Sequence, residues 1–285
     1  MSIGVFLLVL TAAFCHAVWN FVARKVSGNL VVVWLSLLTG CLLLLPVVVG
    51  IVVRYPVHES ISTLPVRYMV ATGVFHAIYF WLLSCAYRYG EISVVYPIAR
   101  GSGIGLTAVS AWLFLAEEIS FLASIGIGMI LIGVLSMSRP LQRGGDKTRE
   151  FLLALCVGVS IVAYSLTDKI GVSKVHPVLY IWSGFLIAGI VLSPFVMIST
   201  RKKILRIGKE YWFHILIIGA GAIGTYLMIL FAFTMGSVSY VVAIREFAVV
   251  VGALLGIIFL KERLTFAKIA AIAAITFGLV CIKLG

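Results

Sequence analysis

The chain has 285 residues, 62% of them hydrophobic and 11% charged, with a mean hydropathy of +1.19. An average soluble domain carries roughly 25% charged residues, so this composition excludes a water-soluble domain. The formal net charge of +12 falls mostly between the apolar runs, where basic residues set membrane orientation and meet anionic headgroups; it points to lipid and away from nucleic acid.

The apolar runs are long, near-continuous and rich in glycine, whereas a membrane barrel alternates in polarity over segments of roughly ten residues. Helices of about 20 residues per crossing are therefore expected. Ten spans are predicted at 3–24, 29–53, 66–88, 92–116, 119–138, 151–170, 177–200, 211–235, 238–260 and 264–284. The first has no basic lead at Met1–Ile3 and carries His16, Trp19 and Asn20 before Arg24 and Lys25, unlike a cleaved signal peptide. Cys15, Cys41, Cys85, Cys156 and Cys281 lie far apart inside apolar segments, so they read as packing residues, with no disulfide framework, metal site or cofactor implied.

Along the chain, span 1 presents His16, Trp19, Asn20 and Ala23 as a polar stripe at helical spacing. That stripe is either a cavity wall or a set of interhelical hydrogen bonds. Span 3 offers His76 and Tyr79. Span 4 carries Tyr96, Pro97 and, nine residues in, Arg100. The polar stretch Pro140–Glu150 then separates a first five-span unit, residues 1–139, from a second, residues 151–285. Span 6 carries Tyr164, Ser165, Asp168 and Lys169, span 8 carries Thr225 and Tyr226, and span 9 carries Arg245 and Glu246. Gly101–Gly105 and Gly252–Gly256 are Gly-x-x-x-Gly pairs expected to pack helices closely. The first lacks the Lys-Ser/Thr ending of a phosphate loop.

The two units resemble each other. Trp34 stands twelve positions before Pro46, and Trp182 twelve before Pro194, at one offset of 148. Gly90 and Ser93 match Gly236 and Ser239 at 146, and Glu117 in Phe114–Phe121 matches Glu262 in Phe259–Phe266 at 145. With five spans each, the second unit must enter the bilayer upside down, giving an inverted repeat of the kind on which secondary transporters are built. Loops after odd-numbered spans hold most of the basic residues, among them Arg139, Arg143, Lys147, Arg149, Arg201, Lys202, Lys203, Arg206, Lys209, Lys261, Arg263 and Lys268. Charge alone thus places those loops in the cytoplasm and both termini outside.

An ionisable residue inside a span costs about 2.5–3.5 kcal/mol on insertion scales and faces a partner or a wet cavity. Arg100, Arg245 and Glu246 lie roughly 12–14 Å into their spans, near the midplane, on equivalent helices of the two units. Either the arginines bind an anionic group of a cargo through their planar forks, or an arginine and Glu246 pair to lock spans 4 and 9. Glu246 and Asp168 are candidates for holding a coupling ion or a cargo ammonium. His16, Trp19, Asn20, His76, Tyr79, Tyr96, Tyr164 and Tyr226 are the candidate walls.

The His-Ala-Val-Trp-Asn run (His16–Asn20), the Gly90–Pro97 approach to span 4 and the turns at Glu117 and Glu262, in this order and spacing, resemble the drug/metabolite transporter superfamily, in particular its EamA-type ten-helix members. The resemblance covers nearly the whole chain. It implies a carrier without an ATP site, moving a small organic solute through a cavity shared by both halves; many relatives export amino acids or related metabolites, and many are assigned cytoplasmic termini, against the charge count.

The expectation is an all-α polytopic protein of the cytoplasmic (inner) membrane, ten transmembrane helices in two inverted five-helix repeats. It is expected to move a small amino-acid-like, zwitterionic or anionic metabolite by alternating access, as an exporter. Its partners would be that solute, membrane lipids and a proton or other coupling ion, with the chain a monomer or homodimer. Two alternatives stand beside it. One is an uptake permease for a phosphonate or sulfonate; the other is an intramembrane enzyme on lipid phosphates, for which the sequence offers no placed acid, base or nucleophile cluster.

Overall fold

In a computed structural model the described residues are 1–26, 28–54, 63–89, 92–136, 147–200, 203–261 and 265–285. Gly90, Arg201, Lys202, Glu262, Arg263 and most of the polar linker lie outside them. Among the described residues there are helices and no strands: α1 (Ile3–Ala23), α2 (Leu30–Arg54), α3 (Thr63–Tyr89), α4 (Ile92–Leu115), α5 (Phe121–Ser136), α6 (Lys147–Gly171), α7 (Pro177–Thr200), α8 (Ile204–Glu210), α9 (Trp212–Met235), α10 (Val238–Ile244), α11 (Phe247–Leu260) and α12 (Phe266–Leu284). Side chains at the boundaries fix several of the starts. Ser2 accepts from the Val5 amide at 3.3 Å, Asn29 from Val31 and Val32 at 3.1 and 3.3 Å, Ser120 from Ala123 at 3.1 Å and Thr265 from Lys268 at 3.3 Å. Each satisfies an amide that the first turn leaves without an intrahelical partner.

Two features depart from the predicted spans. Span 9 is not one rod: it breaks at Arg245–Glu246 into α10 and α11. There the amides of Glu246, Ala248 and Val249 bond three residues back, to Ala243, Arg245 and Glu246, at 3.0, 3.1 and 2.9 Å. No glycine or proline marks the break, which falls where Glu246 turns to Arg100 on α4. The other departure is α8, a short basic helix within the connection after α7 that no apolar run announces.

Among the described residues nine helices are long and apolar enough to cross a membrane, with α10 and α11 together forming one of them, and α5 is a shorter apolar tenth. Their neighbours pair off as two inverted repeats require. The α1–α9 packing is mirrored by α6–α3, α2–α9 by α7–α3, and α1–α11 by α6–α4, while α2–α7 and α5–α12 join each helix to its own counterpart. Small residues set the closest crossings. A Cβ on Gly126 would fall 2.6 Å from the Gly278 carbonyl oxygen, and one on Gly278 2.6 Å from that of Gly126, so α5 and α12 touch backbone to backbone. Gly40 and Gly219 do the same for α2 and α9. Large apolar side chains such as Leu42, Val53, Phe114, Ile198 and Phe266 face outward, as does Trp112, where hydrocarbon and not water is their solvent.

Candidate functional site

Arg100 on α4 and Glu246 at the α10–α11 break meet in the centre of the bundle. Arg100 Nε donates to Glu246 Oε2 at 3.0 Å and Nη2 donates to Oε1, a two-pronged ion pair between side chains only 5% and 1% exposed. Both oxygens of the carboxylate are occupied, so the pair is close to neutral and ties the two equivalent helices together.

Among the described residues Arg245 has no such partner. Successive helical residues project about 100° apart, and while Glu246 turns to Arg100, Arg245 turns to α6. There its Nη2 lies 3.5 Å from the Tyr164 hydroxyl, too long for a strong bond. Its Nε–H has no hydrogen-bond partner among the described residues, although the residue is only 5% exposed. The two arginines, which the sequence treats alike, therefore differ: one is neutralised and the other is a buried cation with donors to spare.

Around Arg245 stands an aromatic frame. The His76 ring stacks on Tyr164 with centroids 4.4 Å apart and meets Tyr226 edge-on at 5.1 Å, and Tyr79 meets Tyr164 at 5.5 Å. The His76 Nδ1 lies 2.9 Å from the carbonyl and 3.0 Å from the hydroxyl of Thr72 one turn earlier, which fixes the ring. From the other side Trp19 Nε1 donates to Thr225 Oγ1 at 3.3 Å, and His16 packs edge-on against Trp19 at 4.9 Å. Asn20 donates to the His16 carbonyl of its own helix at 2.8 Å.

These residues enclose two adjoining spaces. An inner chamber of about 60 Å³ is bordered by Arg245, His76, Tyr164, Tyr226 and Thr225. An outer cavity of about 470 Å³ shares His16, Trp19, Tyr79 and Arg100 with it. The outer cavity runs past Asn20, Tyr96 and Pro97 to Arg24, Gly28 and Lys268, where it opens on the loops after odd-numbered spans. Gly252 lines it with open space where a Cβ would stand, so the second Gly-x-x-x-Gly, expected as a packing pair, begins on a cavity wall. Gly101 does pack, against Leu135.

The opposite end is sealed. Glu117 accepts from the Val238 and Ser239 amides at 2.6 and 3.1 Å and from the Ser239 hydroxyl at 2.6 Å, capping α10. Lys169 donates to the Phe233 and Gly236 carbonyls at 2.6 and 2.7 Å, closing the end of α9.

Ten of the predicted residues border the two spaces: His16, Trp19, Asn20, His76, Tyr79, Tyr96, Arg100, Tyr164, Tyr226 and Arg245. Glu246 stands behind Arg100. Asp168 stands outside both, fully buried against the hydroxyls of Tyr180 and Tyr226. Reasoning from sequence overlooked Phe80 and Phe185, which lie among apolar neighbours, and Thr72, whose i, i+4 relation to His76 was available. It also overlooked Tyr180, a polar ring in an apolar helix.

A stretch of 55 residues is 38% identical to the quaternary ammonium compound-resistance protein QacF of Klebsiella aerogenes, covering 19% of this chain and 50% of that protein. Another of 66 residues is 32% identical to the uncharacterized protein y4nH of Sinorhizobium fredii, covering 23% of this chain and 56% of that one. The chain thus spans about half the length of the curated relatives it matches. A solved crystal structure superposes on 100% of this chain and 98% of its own with a TM-score of 0.76 at 18% identity, a likeness of fold. The EamA-like transporter family model matches twice, at residues 3–139 and 148–284. Matched through both halves, the chain belongs to the EamA-like transporter family and is an integral multi-pass membrane protein.

Proposed function

We propose that the protein is a secondary carrier, not an enzyme, of the cytoplasmic membrane, and that it exports a small organic solute bearing an anionic group by alternating access. The observation that carries this reading is Arg245, a buried guanidinium bordering the inner chamber, whose Nε–H has no hydrogen-bond partner among the described residues. An uncompensated charge in such a place is costly, and an anionic cargo head is the group that compensates it. At about 60 Å³ the chamber holds about two water-sized groups at roughly 30 Å³ each, which suits a carboxylate. The outer cavity of about 470 Å³ lies within the range of small-molecule sites and takes the rest of the solute between Trp19, Tyr79, Phe80 and Tyr96. A cargo ammonium fits beside these rings.

A purely cationic cargo is disfavoured, because Arg100 already occupies both oxygens of Glu246. The inverted repeats supply two equivalent halves that rock about a midplane site. The mouth lies on the basic-loop face, which the charge rule puts in the cytoplasm, so the cavity is poised to load from inside; this supports export over uptake.

Reconstituted liposomes test the proposal with a panel of labelled L-amino acids, benzoate, phenylphosphonate, benzenesulfonate and a quaternary ammonium salt. Saturable counterflow of one anion-bearing solute, abolished by Arg245→Met, is the expected result. Exchange of the quaternary ammonium salt alone, or undiminished exchange by Arg245→Met, overturns it.

A further inference from the structure

One buried acid takes no part in the cargo chamber. Asp168, three residues before the end of α6, is 0% exposed. Its Oδ1 accepts from the Tyr180 hydroxyl of α7 at 3.0 Å and its Oδ2 from the Tyr226 hydroxyl of α9. Thr72 faces it from α3, and Arg245, at the α10–α11 break, acts on it by charge without an ion pair among the described residues. A carboxylate so enclosed is held by phenols instead of a cation, and burying an unpaired charge is costly.

The surroundings fit both forms of the acid. When it is ionised, both phenols donate to it. When it is protonated, its O–H donates to the Tyr180 oxygen, and the Tyr180 hydroxyl turns to a carbonyl already beside it, that of Tyr68 at 3.3 Å or of Thr167 at 3.4 Å. Rotation of one phenolic hydrogen therefore keeps every buried group bonded in either state, as a reversible proton site requires.

Position links that site to transport. Asp168 lies at the sealed end, beside Lys169, which holds the end of α9 shut. The mouth of the cavity is at the other end, and the rings of Tyr164, Tyr226 and His76 stand between. Tyr226 belongs to both places: its hydroxyl is on Asp168 while its ring borders the Arg245 chamber.

From this geometry we infer that Asp168 is the proton-binding site of the carrier, loaded from water when the now-sealed end opens and joined to the cargo chamber through Tyr226. The inference rests on the carrier reading for its purpose, although not for its detection. On the exporter's orientation the proton enters from the compartment into which cargo leaves and is given up on the mouth side once the other end has closed, which makes the exchange an antiport.

Infrared difference spectra of the purified full chain between about pH 5 and about pH 9 detect the proton itself without any cargo. A carboxylic-acid C=O band that grows on acidification, disappears in Asp168→Asn and moves by about one pH unit in Tyr180→Phe is expected. Tyr180→Phe keeps the acid in place and serves where Asp168→Asn fails to fold. A pH-dependent carboxyl spectrum that Asp168→Asn leaves unchanged overturns the inference. In liposomes, accumulation of the exchanged panel solute under an imposed pH gradient is expected to be lost in Asp168→Asn and restored at least in part in Asp168→Glu; full gradient-driven accumulation by Asp168→Asn overturns it. Absence of exchange by the parental protein would defeat the carrier reading alone, leaving the band to decide the proton site.

Discussion

Trp34 and Trp182 hydrogen-bond reciprocally across the centre of the molecule. Trp34 on α2 donates its indole N–H to the Gly189 carbonyl of α7 at 3.0 Å, and Trp182 on α7 donates to the Cys41 carbonyl of α2 at 3.0 Å. Donors and acceptors are both 148 positions apart, so the two bonds are images of each other under the approximate two-fold axis relating the repeats. Interhelical hydrogen bonds in membranes are worth about 0.6–2 kcal/mol each. Trp34→Phe and Trp182→Phe should each lower stability within that range, as read by thermal melting in detergent. A loss confined to one of them would mean that one bond alone holds the interface.

The α5–α12 crossing gives a sharper contrast. Gly126→Ala and Gly278→Ala each push a methyl against a facing carbonyl, and overpacking of this kind costs about 1–3 kcal/mol. Gly50→Ala on α2 meets nothing within 4 Å and should instead stabilise by about 0.5–1 kcal/mol through helix propensity. Melting curves of the three variants check both signs.

The two central arginines should respond oppositely. Arg100→Met strands the Glu246 carboxylate in the interior and should cost about 3–5 kcal/mol, most of it recovered in Arg100→Met/Glu246→Gln. Arg245→Met removes a buried cation that lacks an ion-pair partner among the described residues and should leave the empty protein more stable by about 0.5–2 kcal/mol, as expected where the proposed cargo contact trades stability for function. Unfolding measurements without solute decide this; destabilisation by Arg245→Met equal to that of Arg100→Met would show that the protein itself compensates Arg245.

Glu117 closes the end remote from the mouth by satisfying the first amides of α10. In Glu117→Ala those amides lose their acceptor, at a cost of about 1 kcal/mol or more. Hydrogen exchange at Val238 and Ser239 should then accelerate by about tenfold while that of α2 and α7 is unchanged. Unaltered exchange at these two amides would assign the closure to Lys169 and packing.

The crossings and their inversion could be read from apolar run length and from the twelve-residue spacing of Trp34–Pro46 and Trp182–Pro194, because a bilayer imposes length and a duplicated gene preserves intervals. The gathering of Arg100, Arg245 and Glu246 could be read too, since an ionisable group at the midplane must turn inward. Which arginine takes Glu246 could not. That depends on how α10 is rotated about its axis, a few tens of degrees that hydropathy does not encode. The same holds for the break at Arg245–Glu246, which lacks a glycine or proline to announce it, and for Tyr180, which becomes informative only once α7 lies against Asp168. Gly252 shows the ambiguity of small residues: lack of a side chain serves a tight crossing and an empty wall equally well.

That break has no counterpart in α4, which runs unbroken from Ile92 to Leu115 past Pro97 and Arg100. Exchanging the roles of the two repeats therefore does not regenerate the same molecule. On the proposed alternating-access cycle, the conformation open on one face and its counterpart open on the other are then not degenerate, and an unloaded molecule has a preferred resting orientation that its passengers must work against on one leg and with on the other.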